Sequence, residues 1–403
     1  MIKVPIHIAE YDYPLPENRI AKYPLPLRDQ SKLLIFKGNQ ISENIFNRIS
    51  EQLPEHSLLI FNNTRVIRAR LIFKKESGTR IEIFCLQPEG GYGQTGGAST
   101  WKCLIGNAKR WKSGSIQLRV GDESSPVILS AIKGERTGDA YLVHFNWEPQ
   151  ELAFEQVLEI SGKTPLPPYL NRDPEASDQE RYQTIYAQFN GSVAAPTAGL
   201  HFTPYVLQSI ENKHIKLDYL TLHVGAGTFK PVMVADAREH EMHKEELIVE
   251  RGFLLRLIQS LQHPVIPVGT TSMRSLESLY WLGIQILNGK EPDKNFIISQ
   301  WEPYQQEIKT PAVEALQAIV DFMGRRNMIR ISGYTGIMIA PGYTFRICSA
   351  IITNFHQPKS TLLLLVSAFI GKNWGKVYDY ALEHDFRFLS YGDSCLFFPE
   401  NTE

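Results

Sequence analysis

The chain has 403 residues, 43% of them hydrophobic and 21% charged, with a formal net charge of −1. That length supports two or three domains around a large core. The near-neutral balance excludes a protein whose whole surface binds polyanions, while a local basic face stays open.

In chain order, residues 1–65 open with the prolines Pro14, Pro16, Pro24 and Pro26 and end on an expected strand at 58–61. The N-terminus mixes charges and prolines and has no apolar signal core. From 66 to about 146 the texture becomes short alternating runs (RIEIFCL, SIQLRV, PVILSAI, AYLVHF) between Gly, Ser and Asp turns, the pattern of a small all-β barrel. Residues 66–150 hold 12 Lys/Arg against 8 Asp/Glu, a local balance of +4. The basic residues Lys102, Lys109, Arg110 and Lys112 lie with two tryptophans in WKCLIGNAKRWKSG. That segment reads either as a solvated hairpin or as a phosphate-backbone contact with stacking aromatics.

Beyond Trp147 the pattern is mixed α/β. Helices are expected at 148–161, at 204–213 after the Thr203-Pro204 start, at 245–262 through Leu247, Leu254, Leu255 and Ile258, and at 311–325. Strands are expected at 217–224, 264–269 and 350–355. TTS at 270–272 is expected to cap the following helix. TLLLLVSAFIG (361–371) is about half the roughly 20 residues needed to span a bilayer, and it reads as a buried helix. Strands alternating with helices imply a layered α/β domain of residues 1–65 and 151–403, interrupted by a β-barrel domain at 66–150. Cys85, Cys103, Cys348 and Cys395 form no CxxC pair, which fits free thiols in a reducing cytosol. The expectation is a cytoplasmic protein with no membrane segment.

Five polar turns follow apolar, β-branched runs: IFNNTR (60–65), SVAAPTAGLHFT (192–203), LHVGAGTF (222–229), VGTTSMR (268–274) and ITNFHQPKST (352–361). Glycine permits close backbone approach to a ligand, and His, Asn and Thr supply uncharged hydrogen-bonding groups. Turns of this kind at strand ends suggest one shared pocket. The strand–GTT–helix and strand–NFHQPKS–helix turns also suit an anion at a helix N-terminus, although simple capping by Thr271 and Ser360 explains each alone. No stretch fits a Walker or Rossmann glycine pattern. His201, His223 and His356 suit ligand contact or proton transfer; a lone histidine is more often structural, and their occurrence together at strand ends favours the functional reading. His240 and His243 differ from the zincin i, i+4 pair, so no metal is expected there. Arg274 and Glu277 stand one helical turn apart, where they either pair with each other or point into the pocket.

These blocks, with YDYPLPENRIAKYPLPLRDQSKLL, RYQTIYA, PGYTFR and YALEHDFRFLSYGD, resemble the S-adenosylmethionine:tRNA ribosyltransferase-isomerases of the queuosine pathway, over nearly the whole length. The resemblance implies an α/β main domain with an inserted small Greek-key β-barrel domain. It implies transfer and isomerisation of the ribosyl group of S-adenosylmethionine onto 7-aminomethyl-7-deazaguanine at the tRNA wobble position. Epoxyqueuosine forms, and adenine and methionine leave. S-adenosylmethionine is then the cosubstrate, tRNA the partner, no prosthetic group or metal is needed, and the protein acts as a monomer.

On that resemblance His201, His223 and Thr197 are the expected catalytic residues. Arg274 with Thr270 and Thr271 would hold the methionine carboxylate, and Glu277 would face a cationic amine. Asn62, Asn63, Thr64, Arg65, Gly199, Gly225, Gly227, Asn354 and His356 complete the substrate-binding set. Lys102, Lys109, Arg110 and Lys112 would meet tRNA phosphates.

The chain departs from the family pattern at Lys32 (Arg expected), Lys244 (Ser), Gly336 (Asp), Ala340 (Tyr) and Gln357 (Leu), and it carries a glycine-rich insertion at 90–100. Two alternatives accompany these departures: a paralogous transferase using S-adenosylmethionine on a different acceptor, and a catalytically silent RNA-binding homologue.

Overall fold

The computed structural model describes residues 5–75, 77–91, 93–121, 126–138, 140–225, 227, 232–305 and 307–400. Tyr92 of the glycine-rich insertion and Ala226, Thr228 and Phe229 of the GAGTF turn lie outside the described residues.

The strand Leu58–Asn62 is buried at every position. Its side chains alternate between two cores: Leu58 and Ile60 join the larger cluster, and Leu59 and Phe61 join a second one. A strand covered on both faces reads as a continuous apolar run, which is what LLIFN is. It pairs in parallel with Val265–Pro267 on one side and Lys216–His223 on the other. Glu245–Glu250, Arg330–Thr335 and Phe296–Ile298 extend this to a mixed six-stranded sheet. A four-stranded sheet of Ile351–Asn354, Ser394–Phe397, Lys32–Lys37 and Gln40–Ile45 meets it through a parallel bridge between Val268 and Ile352. The central helix Thr270–Leu287 packs between these strands and the helix Ala312–Arg325.

Three expectations for this part need correction. The segment 245–262 is not one helix: Glu245–Glu250 is a strand and Arg251–Ser260 the helix. EELIVE buries Glu245, Leu247 and Val249 in turn, a period of two that Leu247 alone masks when it is counted into a helical stripe. The helix expected from 148 begins at Phe154, because Glu148 still belongs to a strand. Finally, Thr270, Thr271 and Ser272 lie inside their helix; the cap position is Gly269, at φ 92, where a side chain would be strained.

Six strands between Arg70 and Glu148 form a separate antiparallel sheet. Its order is Arg70–Lys74, Arg80–Pro88, Ala98–Gly106, Ala140–Glu148, Val127–Thr137 and Ser115–Val120. The two edge strands approach each other, so the sheet is nearly closed into a barrel. Phe154, Val157 and Leu158 of the helix Phe154–Ser161 pack into its core. Trp101 and Trp111 are core residues, 1% and 0% exposed, so they are not available for stacking on RNA. The segment holding them is no hairpin either. Ala98–Gly106 pairs with Arg80–Pro88 and Ala140–Glu148, whereas Ser115–Val120 pairs with Val127–Thr137. Residues 107–114 are therefore a crossover between strands that are not neighbours.

Candidate active site

Four of the five polar turns line one solvent-open cleft. Residues 194–198, Val224, 269–271 and 353–357 form its walls, with Ser390. The turns meet because their strands do. Gly269 N donates to Ile352 O at 2.7 Å, and Val268 N donates to Ile60 O at 2.8 Å. The cleft therefore sits where the two sheets join and the central helix starts. The free N–H groups of that helix's first turn favour negative charge there. Thr271 Oγ1 is buried at this end without a hydrogen-bond partner in the structure. Ser360 instead caps the helix Thr361–Ile370, accepting from Leu363 N.

Thr197 and Asn354 are both cleft residues, and Thr197 Oγ1 donates to Asn354 Oδ1 at 3.0 Å. Asn354 Nδ2 lies 3.1 Å from His201 Nε2, and His201 Nδ1 lies 2.8 Å from Ser31 Oγ. His201 is thus held at both ring nitrogens and lies behind the cleft wall, packed against Phe46. Burial, with Arg387 and Arg28 nearby, pushes its pKa down to about 3. His356 does line the cleft; its Nε2 lies 2.9 Å from Thr353 Oγ1. Its backbone carbonyl accepts from Tyr13 Oη and its N–H donates to Tyr378 Oη at 3.1 Å. Burial pushes its pKa down to about 3 as well, which keeps the imidazole neutral.

His223 belongs to a second cleft, of about 350 Å³, with Gly225, Lys244 and Glu245. Val224 is a wall of both clefts. Thr64 Oγ1 lies 2.9 Å from His223 Nδ1, and burial lowers this histidine's pKa to about 4. Arg274 stands between the helix and this second cleft. Its Nη1 meets Glu245 Oε2 at 2.6 Å, its Nε donates to Ile337 O at 3.3 Å, and Nη2 is buried without a partner in the structure. Glu245 Oε1 also accepts from Gly225 N at 3.3 Å. Glu245 was not among the expected residues; the signal for it is its inward place in the alternating EELIVE strand.

Other expected residues are structural or lie elsewhere. Asn62 spends its amide on Leu222 N, Leu222 O and Thr64 N, and Asn63 Oδ1 accepts from Thr221 Oγ1 at 2.7 Å. The NNTR turn therefore braces the neighbouring strand from behind the cleft, and Arg65 is exposed. Gly199 is required for packing: a Cβ there would lie 1.9 Å from Tyr186 Oη. A Cβ on Gly227 would overlap His243. Glu277 is fully buried and accepts from Tyr343 Oη at 2.8 Å and from the N–H groups of Arg346, Ile347 and Cys348. Four internal donors take up its carboxylate, which corrects the expectation that it faces a substrate amine.

Lys109, Arg110 and Lys112 are exposed on the barrel crossover, and Lys102 is half-buried on the strand before it. Among the described residues, no group of three His, Cys, Asp or Glu side chains is placed to hold a metal ion, and no helix is long and apolar enough to cross a membrane.

A family model described as a queuosine biosynthesis protein matches residues 8–397. Two curated relatives are each 38% identical to this chain: the S-adenosylmethionine:tRNA ribosyltransferase-isomerases of Halothermothrix orenii and Trichlorobacter lovleyi. Each alignment covers 96% of this chain and 99% of the relative. A solved structure, S-adenosylmethionine tRNA ribosyltransferase from Thermotoga maritima, matches at 26% identity and a TM-score of 0.46, over 96% of this chain and 99% of that one. Since the family match and both alignments run through every turn that builds the cleft, the chain belongs to the queuosine biosynthesis protein family.

Proposed function

We propose that this protein transfers and isomerises the ribosyl group of S-adenosylmethionine onto 7-aminomethyl-7-deazaguanine at the wobble position of tRNA, releasing adenine and methionine. The observation that supports this most is the full-length similarity to curated ribosyltransferase-isomerases, 38% over 96% of the chain.

The cleft fits S-adenosylmethionine on its own chemistry. A helix N-terminus with the unpartnered Thr271 hydroxyl suits the methionine carboxylate. Thr197 and Asn354 offer uncharged groups to the ribose. The sulfonium acidifies the neighbouring C5′ protons, so one well-placed base suffices to begin the rearrangement. His356 is the histidine that lines the cleft, and burial keeps it neutral, which suits it to hydrogen-bond the substrate rather than to take its proton. His201 then acts through Asn354 as a positioning residue, and His223 serves the adjoining second cleft. The barrel crossover with Lys109, Arg110 and Lys112 meets tRNA phosphates.

We read the chain as an α/β body of residues 1–65 and 151–403 interrupted by a barrel at 66–150. The strand order, in which Ala98–Gly106 lies beside the last strand of the three-stranded meander that follows it, supports a Greek-key reading of the barrel. Four buried free cysteines support a reducing, cytoplasmic setting, and we take the protein to act as a monomer.

A second reading, the same chemistry on a different acceptor, is favoured by Lys244 and Gly336, which lie side by side where the family pattern has Ser and Asp. Incubation with S-adenosylmethionine and precursor-bearing tRNA, followed by mass spectrometry of digested nucleosides, separates the readings. Epoxyqueuosine supports the first. Adenine release without a modified nucleoside supports the second, and no turnover supports a silent RNA binder.

A further inference from the structure

Beside His201 lies a third pocket, which shares Ser390 with the cleft. Three arginines line it: Arg28, Arg181 and Arg387, together with Ser31 and His201. They come from distant parts of the chain, so the fold has gathered them. Arg28 and Arg181 also brace each other's segments. Arg28 Nη1 donates to Gln183 O at 3.1 Å, and Arg181 donates to the carbonyls of Leu25 and Pro26.

Those acceptors are neutral. Among the described residues, no carboxylate forms an ion pair with Arg28 or Arg181 within 4.0 Å. Only Arg387 has such a partner, Asp393 at 3.3 Å, and that carboxylate also accepts from Lys32 N and Arg387 N. Burial and the charge of Arg181 both disfavour the charged form of Arg28, which Glu180 offsets only in part. Gathering like charges in a partly buried pocket is unfavourable unless an anion neutralises them. A guanidinium has five donors, and the internal bonds use only some of them.

We propose that this pocket binds a backbone phosphate of the nucleic-acid substrate. Its polar lining, three guanidinium groups with Ser31 and His201, suits an anion rather than an apolar ligand. Arginine pairs with phosphate oxygens in bidentate fashion, and such contacts fix the register of a nucleic acid on its protein. The position fits that role. His201 is a wall of the pocket and reaches the cleft through Asn354 and Thr197, so a phosphate held here is anchored one side-chain chain away from the reacting base. The inference rests on the proposed action on tRNA, and it adds an anchoring site distinct from the barrel crossover.

The test measures binding of precursor-bearing tRNA to the full-length protein between 50 and 300 mM NaCl, for wild type, R28Q, R181Q, the double variant, and R28K and R181K. The double Gln variant should flatten the plot of log affinity against log salt by about one unit, each single variant by part of that, and each should raise the KM for tRNA about tenfold. The KM for S-adenosylmethionine should stay unchanged, and the Lys variants should retain most of the salt slope. Inorganic pyrophosphate should raise the melting temperature of wild type and not that of the double variant, which checks the pocket without RNA. Unchanged tRNA affinity and slope in the folded double variant would overturn the proposal. Lost pyrophosphate stabilisation beside wild-type tRNA binding would overturn the backbone assignment in favour of a free phosphate ligand. Arginine-dependent tRNA binding without epoxyqueuosine formation would support this inference while sinking the proposed reaction.

Discussion

His201 Nε2 lies 3.1 Å from Asn354 Nδ2, and Asn354 turns its Oδ1 to the Thr197 hydroxyl at 3.0 Å. With the amide in this orientation Asn354 donates to Nε2, so His201 is the neutral Nδ1–H tautomer and Ser31 Oγ accepts from it. The imidazole fixes which face of Asn354 meets the cleft. In the proposed reaction it would act by holding another residue.

His201→Ala should therefore lower kcat by misaligning Asn354 and leave the pH profile of kcat unchanged in shape. It should also lower the unfolding free energy by about 2–4 kcal/mol, from reduced packing and an unsatisfied Asn354 amide. Steady-state adenine release across pH 6–9 checks the first part and urea unfolding the second. Disappearance of a titrating limb in the variant would make His201 a proton-transfer group and defeat the positioning role.

Three buried histidines make the fold acid-sensitive well above the carboxylate range. His201, His223 and His356 have pKa values lowered to about 3, about 4 and about 3, chiefly by burial. In the unfolded chain they titrate near 6.5, so below that pH the unfolded state binds more protons than the folded one. The stabilisation is complete above about 6.5 and is lost progressively as pH falls toward the folded values, at about 1.4 kcal/mol per pH unit for each histidine. Urea midpoints should fall markedly between pH 7.5 and 5, and His201→Gln should flatten that fall. Equal stability at both pH values would mean that the histidines are not buried as neutral groups.

Much of the cleft was legible because its chemistry sits at strand ends. VGTT and NFHQ each follow a buried β-branched run, and the parallel bridge between those runs brings the two turns together, whereas PTAG follows the short, half-exposed strand Phe189–Ser192. NNTR carries the same local signature, yet Asn62 and Asn63 bond the next strand instead. Nothing in the residue types separates an amide offered to a ligand from one spent on a neighbouring backbone. Likewise Glu277, on the helix face expected to reach the pocket, is taken up by N–H groups 69 to 71 residues further on. Such long-range pairing is invisible to periodicity. The strand at Glu245–Glu250 was hidden for a different reason: it runs directly into a helix, and the joined apolar residues satisfy a helical stripe.

Lys244 and Gly336 are the departures from the family pattern that face each other. A Cβ on Gly336 would lie 3.6 Å from Lys244 Cγ and 3.8 Å from Ile298 O, ordinary contact distances. Gly336→Ala should therefore leave stability within about 0.5 kcal/mol of wild type. Gly336→Asp with Lys244→Ser restores the family residues at both positions. If this pair sets the acceptor, the double variant should change kcat/KM for the acceptor at least tenfold while leaving the KM for S-adenosylmethionine in place. Identical acceptor profiles by nucleoside mass spectrometry would remove the pair from specificity.

The barrel crossover separates charge from packing within a few residues. Trp111 is fully buried, donates from Nε1 to Gly114 O at 3.0 Å, and is the core anchor of a segment whose neighbours Lys109, Arg110 and Lys112 are exposed. Trp111→Ala should cost about 3–5 kcal/mol by leaving a large cavity, with RNA binding weakened only as far as the barrel unfolds. Replacing Lys109, Arg110 and Lys112 by Gln should leave stability within about 0.5 kcal/mol and reduce the salt slope of tRNA binding by about one unit for each phosphate no longer neutralised. Thermal melts and salt-dependent anisotropy on the same variants give both readouts. A triple variant with the wild-type slope would move the RNA contact off this crossover. A Trp111 variant that keeps its melting temperature yet fails to bind RNA would return the tryptophan to the binding surface, which its burial contradicts.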